Sequence, residues 1–180
     1  MRKAFLILFI ILFYACQPNY QSKVNIKNID VISDNFVNAH KILINNEEKK
    51  IDSLLSASSL PFIKDSTGIR IYIDEGVSNA RLLYPQNGNH VLLAYHCVVF
   101  EDSDVIINNV LEDTIFFKLW YSKQMKGLNH AIKLLKTGDN AKIIIPSYLG
   151  FGMSGYKNIV QPYSTLLLNV KLLNIKEWKK

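Results

Sequence analysis

The pattern of apolar and polar positions is clearest in the last third of the chain. Leu128, Ala131, Ile132 and Leu135 recur at helical spacing, with Asn129, Lys133 and Lys136 between them, which predicts a short amphipathic helix. Gly138 stands where a helix stops. Residues 141–145 are an isoleucine-rich apolar run and predict a strand. Pro146 ends it, because proline has no N–H to give a sheet ladder. Residues 149–155 hold three glycines and no regular period, so they form a loop. Leu166, Leu168, Val170 and Leu172 then share one face of a final strand, with Thr165, Asn169 and Lys171 on the other. The order is helix, strand, glycine loop, strand.

Upstream the alternation is shorter but repeated. Ile69, Ile71 and Ile73 alternate with Arg70 and Tyr72 after a Thr67-Gly68 turn. Residues 90–100 and 115–120 predict longer strands, and 81–84 and 105–107 short ones. Residues 85–89 and the acidic stretch 101–104 are turns. From Phe36 to Leu55 apolar residues at 36, 43, 51 and 54 approximate one helical stripe, interrupted by His40 and Glu47. Ser33 or Asp34 can cap that helix, and Pro61 breaks it. The expected class is α+β. A helical segment over 33–60 precedes a domain over 61–180, a twisted antiparallel sheet wrapped on one short helix and long enough to bury its own core.

The N-terminus reads differently. Arg2 and Lys3 precede an apolar run over 4–14, and Ala15-Cys16 ends it. That is the layout of an export signal, and a small residue before cysteine resembles the lipobox of bacterial lipoproteins. Residues 1–16 are thus expected to be a lipoprotein signal peptide, with lipidation on Cys16 and a periplasmic-face or outer-membrane anchor in the cell envelope. The other reading is a short anchor that is never cut, but the run falls short of the roughly 20 residues a spanning helix needs. Residues 17–32 are polar and asparagine-rich, a tether.

Composition narrows the function classes. The formal charge is +6 from 21 basic and 15 acidic side chains. Removing Arg2 and Lys3 with the signal leaves 19 minus 15, or +4. The excess is lysine scattered over a polar surface, not an arginine stripe, so nucleic acid is not an expected partner. Cys97, between Tyr95 and Val99 in an alternating strand, is expected to be a small buried hydrophobe. No His, Asp, Glu and Cys cluster suggests a metal, and no cofactor is expected.

Specific motifs carry a family resemblance. Gly138 to Pro146 fits G-x-x-A-x-x-x-I-P, Phe151-Gly152 is an aromatic-glycine pair, and Pro162 to Leu172 fits P-x-x-(S/T)-L-x-x-x-V-x-L. In that order and spacing they resemble the C-terminal half of FKBP-type peptidyl-prolyl isomerases. A looser entry pattern, Phe62, Thr67, Gly68, Ile69, Tyr72 and Ile73, extends the resemblance to about the last two-thirds of the chain. The lipid-anchored layout resembles isomerases associated with gliding motility.

The resemblance implies a reaction that needs no acid, base or metal. An ordinary peptide bond resists rotation by ~18–20 kcal/mol through amide resonance. Twisting an X-Pro amide reduces its charge separation, so an apolar pocket favours the twisted form over the planar one. The resemblance assigns that pocket to Tyr95, Ile106, Phe116 (with Ile115 as the neighbouring register), Met125, Leu128, Phe151, Ile159, Val160 and Leu168. Three positions depart from the family pattern. Gln124 replaces a hydrophobe, Phe151 replaces a tyrosine that bonds a substrate carbonyl, and Ile107 stands where an aspartate is usual. Each pocket residue would also be apolar as ordinary core, so three readings stay open. They are an isomerase acting on proline-containing segments of exported proteins, a non-catalytic FKBP-like binding or chaperone module, and a component of a gliding-motility or cell-surface machine. The N-terminal helix is a spacer, a helix packed on its own domain, or a dimerising arm.

Overall fold

A computed structural model describes residues 26–74, 83–101 and 111–177. The segment carrying Cys16, and the hairpin residues Ile106 and Ile107, lie outside them. The chain forms two compact units, Met1–Lys41 and Ile42–Lys180. The long helix α1 (Ile26–Ser56) runs through the division. It begins inside the stretch expected to be a tether and stops short of Pro61. In the first unit Phe36 and Val37 are exposed.

The second unit holds a sheet of six strands: β1 (Ile63–Lys64), β2 (Arg70–Asp74), β3 (His90–Val99), β4 (Leu111–Lys118), β5 (Asn140–Ile145) and β6 (Leu166–Lys176). Their spatial order is β1-β2-β5-β6-β3-β4, every pair antiparallel. Alternation sorts the two faces. Ile71 on β2, Leu93 and Cys97 on β3, Phe117 on β4, Ile143 and Ile145 on β5, and Leu166 and Leu168 on β6 all join one buried cluster. Arg70, Tyr72, Lys142, Asn169 and His96 take the opposite parity.

The short helix α2 (Lys126–Ile132) closes that cluster with Leu128, Ala131 and Ile132. Gly127 explains how closely it lies on β5: a Cβ there would collide with the Ile145 side chain. Buried Asn129 fixes the helix entry. Its Nδ2 and its backbone N both donate to the Met125 carbonyl, at 3.2 and 3.1 Å, and its Oδ1 accepts from the Trp120 N–H at 2.9 Å.

Several element boundaries differ from the sequence expectation. The helical spacing runs to Leu135, but α2 ends at Ile132 and the chain continues in tight turns closed by Leu134 N–H to Ala131 O and Leu135 N–H to Ile132 O. Leu135 is nonetheless fully buried, so a turn can keep a helix's apolar stripe after the helix has ended. Strand β4 stops at Lys118, because Trp120 turns the chain with φ 67, outside strand geometry. Leu83 and Tyr84, expected in a short strand, lie outside any strand. The sheet unit also includes the α1 residues from Ile42 to Ser56.

Candidate functional site

The connection between β5 and β6 begins where the ladder runs out. Ile145 pairs with Leu166, and Pro146 cannot continue the pairing. The chain instead makes two 3₁₀ turns, Ser147–Leu149 and Gly152–Ser154. Tyr163 N–H donates to Gly152 O at 2.8 Å across the loop. Tyr156 and Val160 exchange backbone bonds at 2.9 and 3.1 Å. Gly155, at φ 60, sits so near the Val160 carbonyl that a Cβ would overlap it.

These ties bring the aromatic side chains of the loop to the core. Phe151 stacks on Tyr156 with ring centroids 4.7 Å apart and 23° between planes. Both are half-buried against the cluster, as are Ile159, Tyr95 and Met125. Leu128, Val160 and Leu168 are buried within it. Seven expected pocket residues therefore join one apolar assembly: Tyr95, Met125, Leu128, Phe151, Ile159, Val160 and Leu168. Three of them are buried and four are partly buried.

Phe116 is a correction. It is 61% exposed and stacks on His90 at 5.2 Å. On β4 it has the parity opposite to Phe117, which is core. Ile115 shares the Phe117 parity and packs against the cluster, so Ile115 takes the place expected for Phe116. Three successive apolar residues carry no alternation, and the sequence alone could not set their parity.

Titratable groups near the site follow burial. Burial, helped by the Asp113 charge, raises the Tyr95 phenol above its ordinary value. Burial pushes the Cys97 thiol up to about 12, so Cys97 is a core residue without thiolate chemistry at neutral pH. A groove of about 470 Å³ lies across the other parity of the sheet, bordered by Tyr72, Lys142, Asn169, His96 and Thr114. Ala94, Ala141 and Val170 also line it, and it shares only Tyr95 with the expected pocket.

Sequence reasoning missed Tyr156 and Asn129. Tyr156 lies in a stretch without period, and only its Phe151 stack reveals it. Asn129 reads as a polar helix position. It also missed a cluster of charges. Arg70, 1% exposed, donates to Glu48 Oε2 at 2.8 Å, to Asp52 Oδ1 and to the Gly68 carbonyl. Glu48 also accepts from Tyr148 at 2.8 Å and pairs with Lys64 at 2.6 Å. Burial pushes the Glu48 carboxyl up, but bonds from Arg70, Lys64 and Tyr148 and the Arg70 charge outweigh it and hold the group at about 2. Burial and the Glu48 bond raise the Tyr148 phenol.

Comparison with known proteins bears on the same stretch. The profile of the FKBP-type peptidyl-prolyl cis-trans isomerase family matches residues 83–173, just over half of the chain. Peptidyl-prolyl cis-trans isomerase FKBP14 of Homo sapiens is 39% identical over 62 residues, 34% of this chain and 29% of that protein. The chain thus matches less than a third of that relative's length. Among solved structures, a peptidyl-prolyl cis-trans isomerase from Pseudomonas syringae superposes with a TM-score of 0.58 at 17% identity, covering 76% of this chain and 96% of that one. FkpA from Escherichia coli superposes with a TM-score of 0.56 at 20% identity, covering 97% and 82%. At those identities the two structures speak to the fold.

Proposed function

This chain belongs to the FKBP-type peptidyl-prolyl cis-trans isomerase family, and from that premise we propose that it accelerates cis-trans exchange at X-Pro bonds in its apolar pocket. One observation supports the reading: Tyr95, Met125, Phe151, Tyr156 and Ile159, all partly buried, pack against the cluster that holds buried Leu128, Val160 and Leu168. A proline ring on that assembly places its amide among side chains that solvate charge separation poorly. The planar, resonance-stabilised amide loses more there than the twisted one, which is differential binding of the transition state. Phe151 brings no hydroxyl to a substrate carbonyl, so turnover rests on the apolar environment and is expected to be modest. The test is a proline-limited refolding reaction, whose uncatalysed phase takes tens to hundreds of seconds. Catalytic amounts of the protein are expected to shorten that phase. An unchanged phase at equimolar protein would reject the enzyme reading.

The finer parts of the proposal concern place and clients. Export and lipidation at Cys16 would hold the domain on the cell envelope, where proline-containing segments of exported proteins are the clients. Support comes from the Arg2-Lys3 start, the apolar run and Ala15-Cys16. Cys16→Ser is expected to leave unprocessed precursor, and mass spectrometry finding residues 1–16 intact on the exported protein would remove this part. A second reading, a binding module without useful turnover, is favoured by one observation, the missing hydroxyl at Phe151. Service in a gliding-motility machine would be one form of it, supported by the layout of signal, helix and domain.

A further inference from the structure

Glu47 lies on α1, upstream of every residue the family profile matches. Its carboxylate nonetheless reaches the connection that carries the pocket aromatics. Oε1 accepts from the Ser147 backbone N–H and from Thr165 Oγ1, both at 2.6 Å. Oε2 accepts from Ser147 Oγ at 2.8 Å. Ser147 and Thr165 are the two ends of that connection. They stand just past the last rung, Ile145 with Leu166, at the point where Pro146 stops the ladder. One carboxylate therefore replaces the missing rung, joining the strands at the mouth of the loop. It also caps the first 3₁₀ turn, which has no side-chain cap of its own at Pro146.

Besides Glu47, Phe100 N–H to Thr165 O and Tyr148 Oη–H to Thr67 O tie the connection to its neighbours, and Tyr163 N–H to Gly152 O and the Tyr156–Val160 pair close it internally. The internal pairs set the loop's inner shape, and of the outer ties only Glu47 bonds both Ser147 and Thr165. Phe151 and Tyr156 owe their stack to that inner shape, and their packing against the cluster also depends on where the loop base is held. A carboxylate accepting three charge-assisted bonds is a stiff fixing point.

We propose that Glu47 is a positioning residue for the pocket: by clamping Ser147 to Thr165 it holds Phe151, Tyr156, Ile159 and Val160 in register with the core. The claim rests on the isomerase reading for its kinetic readout, and has a structural readout that does not. A helix outside the matched domain thereby sets the efficiency of the pocket. Glu48 adds a bond to the same turn through Tyr148, but its main partners are Arg70 and Lys64. Asp52 binds Arg70 and Lys64 and is not bonded to the loop.

The test compares Glu47→Ala, Glu47→Gln, Thr165→Val and Asp52→Asn in the full chain. Two quantities are read well below each variant's melting temperature: kcat/KM on an X-Pro peptide, and hydrogen exchange of the Tyr156, Val160 and Tyr163 amides. Glu47→Ala is expected to lose about tenfold in kcat/KM and to speed exchange of those amides, because a small displacement of positioning groups is costly. Glu47→Gln keeps an acceptor oxygen and should recover part of both. Thr165→Val removes one bond at the far end, a milder change that keeps the test valid if Glu47→Ala does not fold, and should lose about threefold. Asp52→Asn is expected to lower the melting temperature while leaving both readouts within twofold. If Glu47→Ala, or Thr165→Val in its place, keeps both readouts within twofold, the clamp is not a positioning device. The clamp is equally overturned if Asp52→Asn moves both readouts as much as Glu47→Ala does. If the unaltered protein has no turnover, the isomerase reading fails by itself, and the exchange of the three amides still decides whether Glu47 positions the loop.

Discussion

The sheet is gripped by two helices in opposite ways. Helix α2 meets it through Leu128, Ala131 and Ile132, all buried among isoleucines and leucines. The last turns of α1 meet it through Glu47, Glu48 and Asp52, which bind Ser147, Thr165, Tyr148 and buried Arg70. Only Ile51, 1% exposed, adds a fully buried apolar residue there. The first contact is non-directional and scales with area. The second is directional and depends on ionisation, and breaking one half strands the other. A pocket between such supports takes its buried side from the first and the register of its loop from the second.

Truncation separates the two most sharply. A chain starting at Pro61 keeps α2 and the sheet but leaves the Arg70 guanidinium without carboxylates. The truncation opens Arg70 to water, which offsets part of the lost pairing, but the bonds of Glu47 and Glu48 and the burial of Ile51 go with α1, so this chain is expected to melt well below the full one. A chain starting at Ile42 keeps every one of these bonds and is expected to melt within a few degrees of the full chain. Equal melting temperatures for the two truncations would mean that the charged contact contributes nothing.

Next in size is Leu168→Ala, beneath the pocket. The residue is fully buried, and a leucine-to-alanine change in such a place costs about 2–5 kcal/mol through lost transfer and a residual cavity. Chemical denaturation measures it, and a cost below about 1 kcal/mol would contradict the place given to Leu168 in the buried cluster.

Acid should act on the charged contact and spare the apolar one. The Glu48 carboxyl is held below its ordinary 4.5, at about 2. Its contribution to stability is therefore full above 4.5 and is lost as pH falls toward 2. Glu48→Gln is expected to flatten that part of the pH-stability curve. Matching slopes in the variant and the unaltered protein would show that the pair does not titrate as described.

These contrasts also explain what could be read from the sequence. The α2 contact follows from spacing, since Leu128, Ala131, Ile132 and Leu135 recur on one face. The alternation in β2 and β6 follows in the same way. Helix α2 was expected to run past Ile132, because periodicity reports which side is buried and not which hydrogen bonds close the turn. The parity at 115–117 stayed open because three apolar residues in a row carry no alternation. The α1 contact was invisible for another reason. Glu47 appeared as an interruption of an apolar stripe, and its partners lie 100 and 118 positions away. Such directional pairs between distant residues have no periodic signature. Tyr156 was missed likewise, its role depending on a stack across a glycine loop.

The smallest expected effect is among the pocket aromatics. Phe151→Tyr would place a hydroxyl at a half-exposed loop, where a substrate carbonyl can accept from it. One such bond is worth about 1 kcal/mol, or several-fold in kcat/KM. A folded Phe151→Tyr protein that is no faster would mean that the ring edge does not face the substrate carbonyl.

The most direct measurement of the central claim is exchange spectroscopy by NMR on an X-Pro peptide mixed with the labelled protein. The account predicts cis-trans exchange peaks at mixing times where the peptide alone gives none. It also predicts protein shift changes concentrated on Tyr95, Met125, Phe151, Tyr156 and Ile159. No exchange peaks, or shift changes gathered instead around Tyr72, Lys142 and Asn169 in the groove, would contradict it.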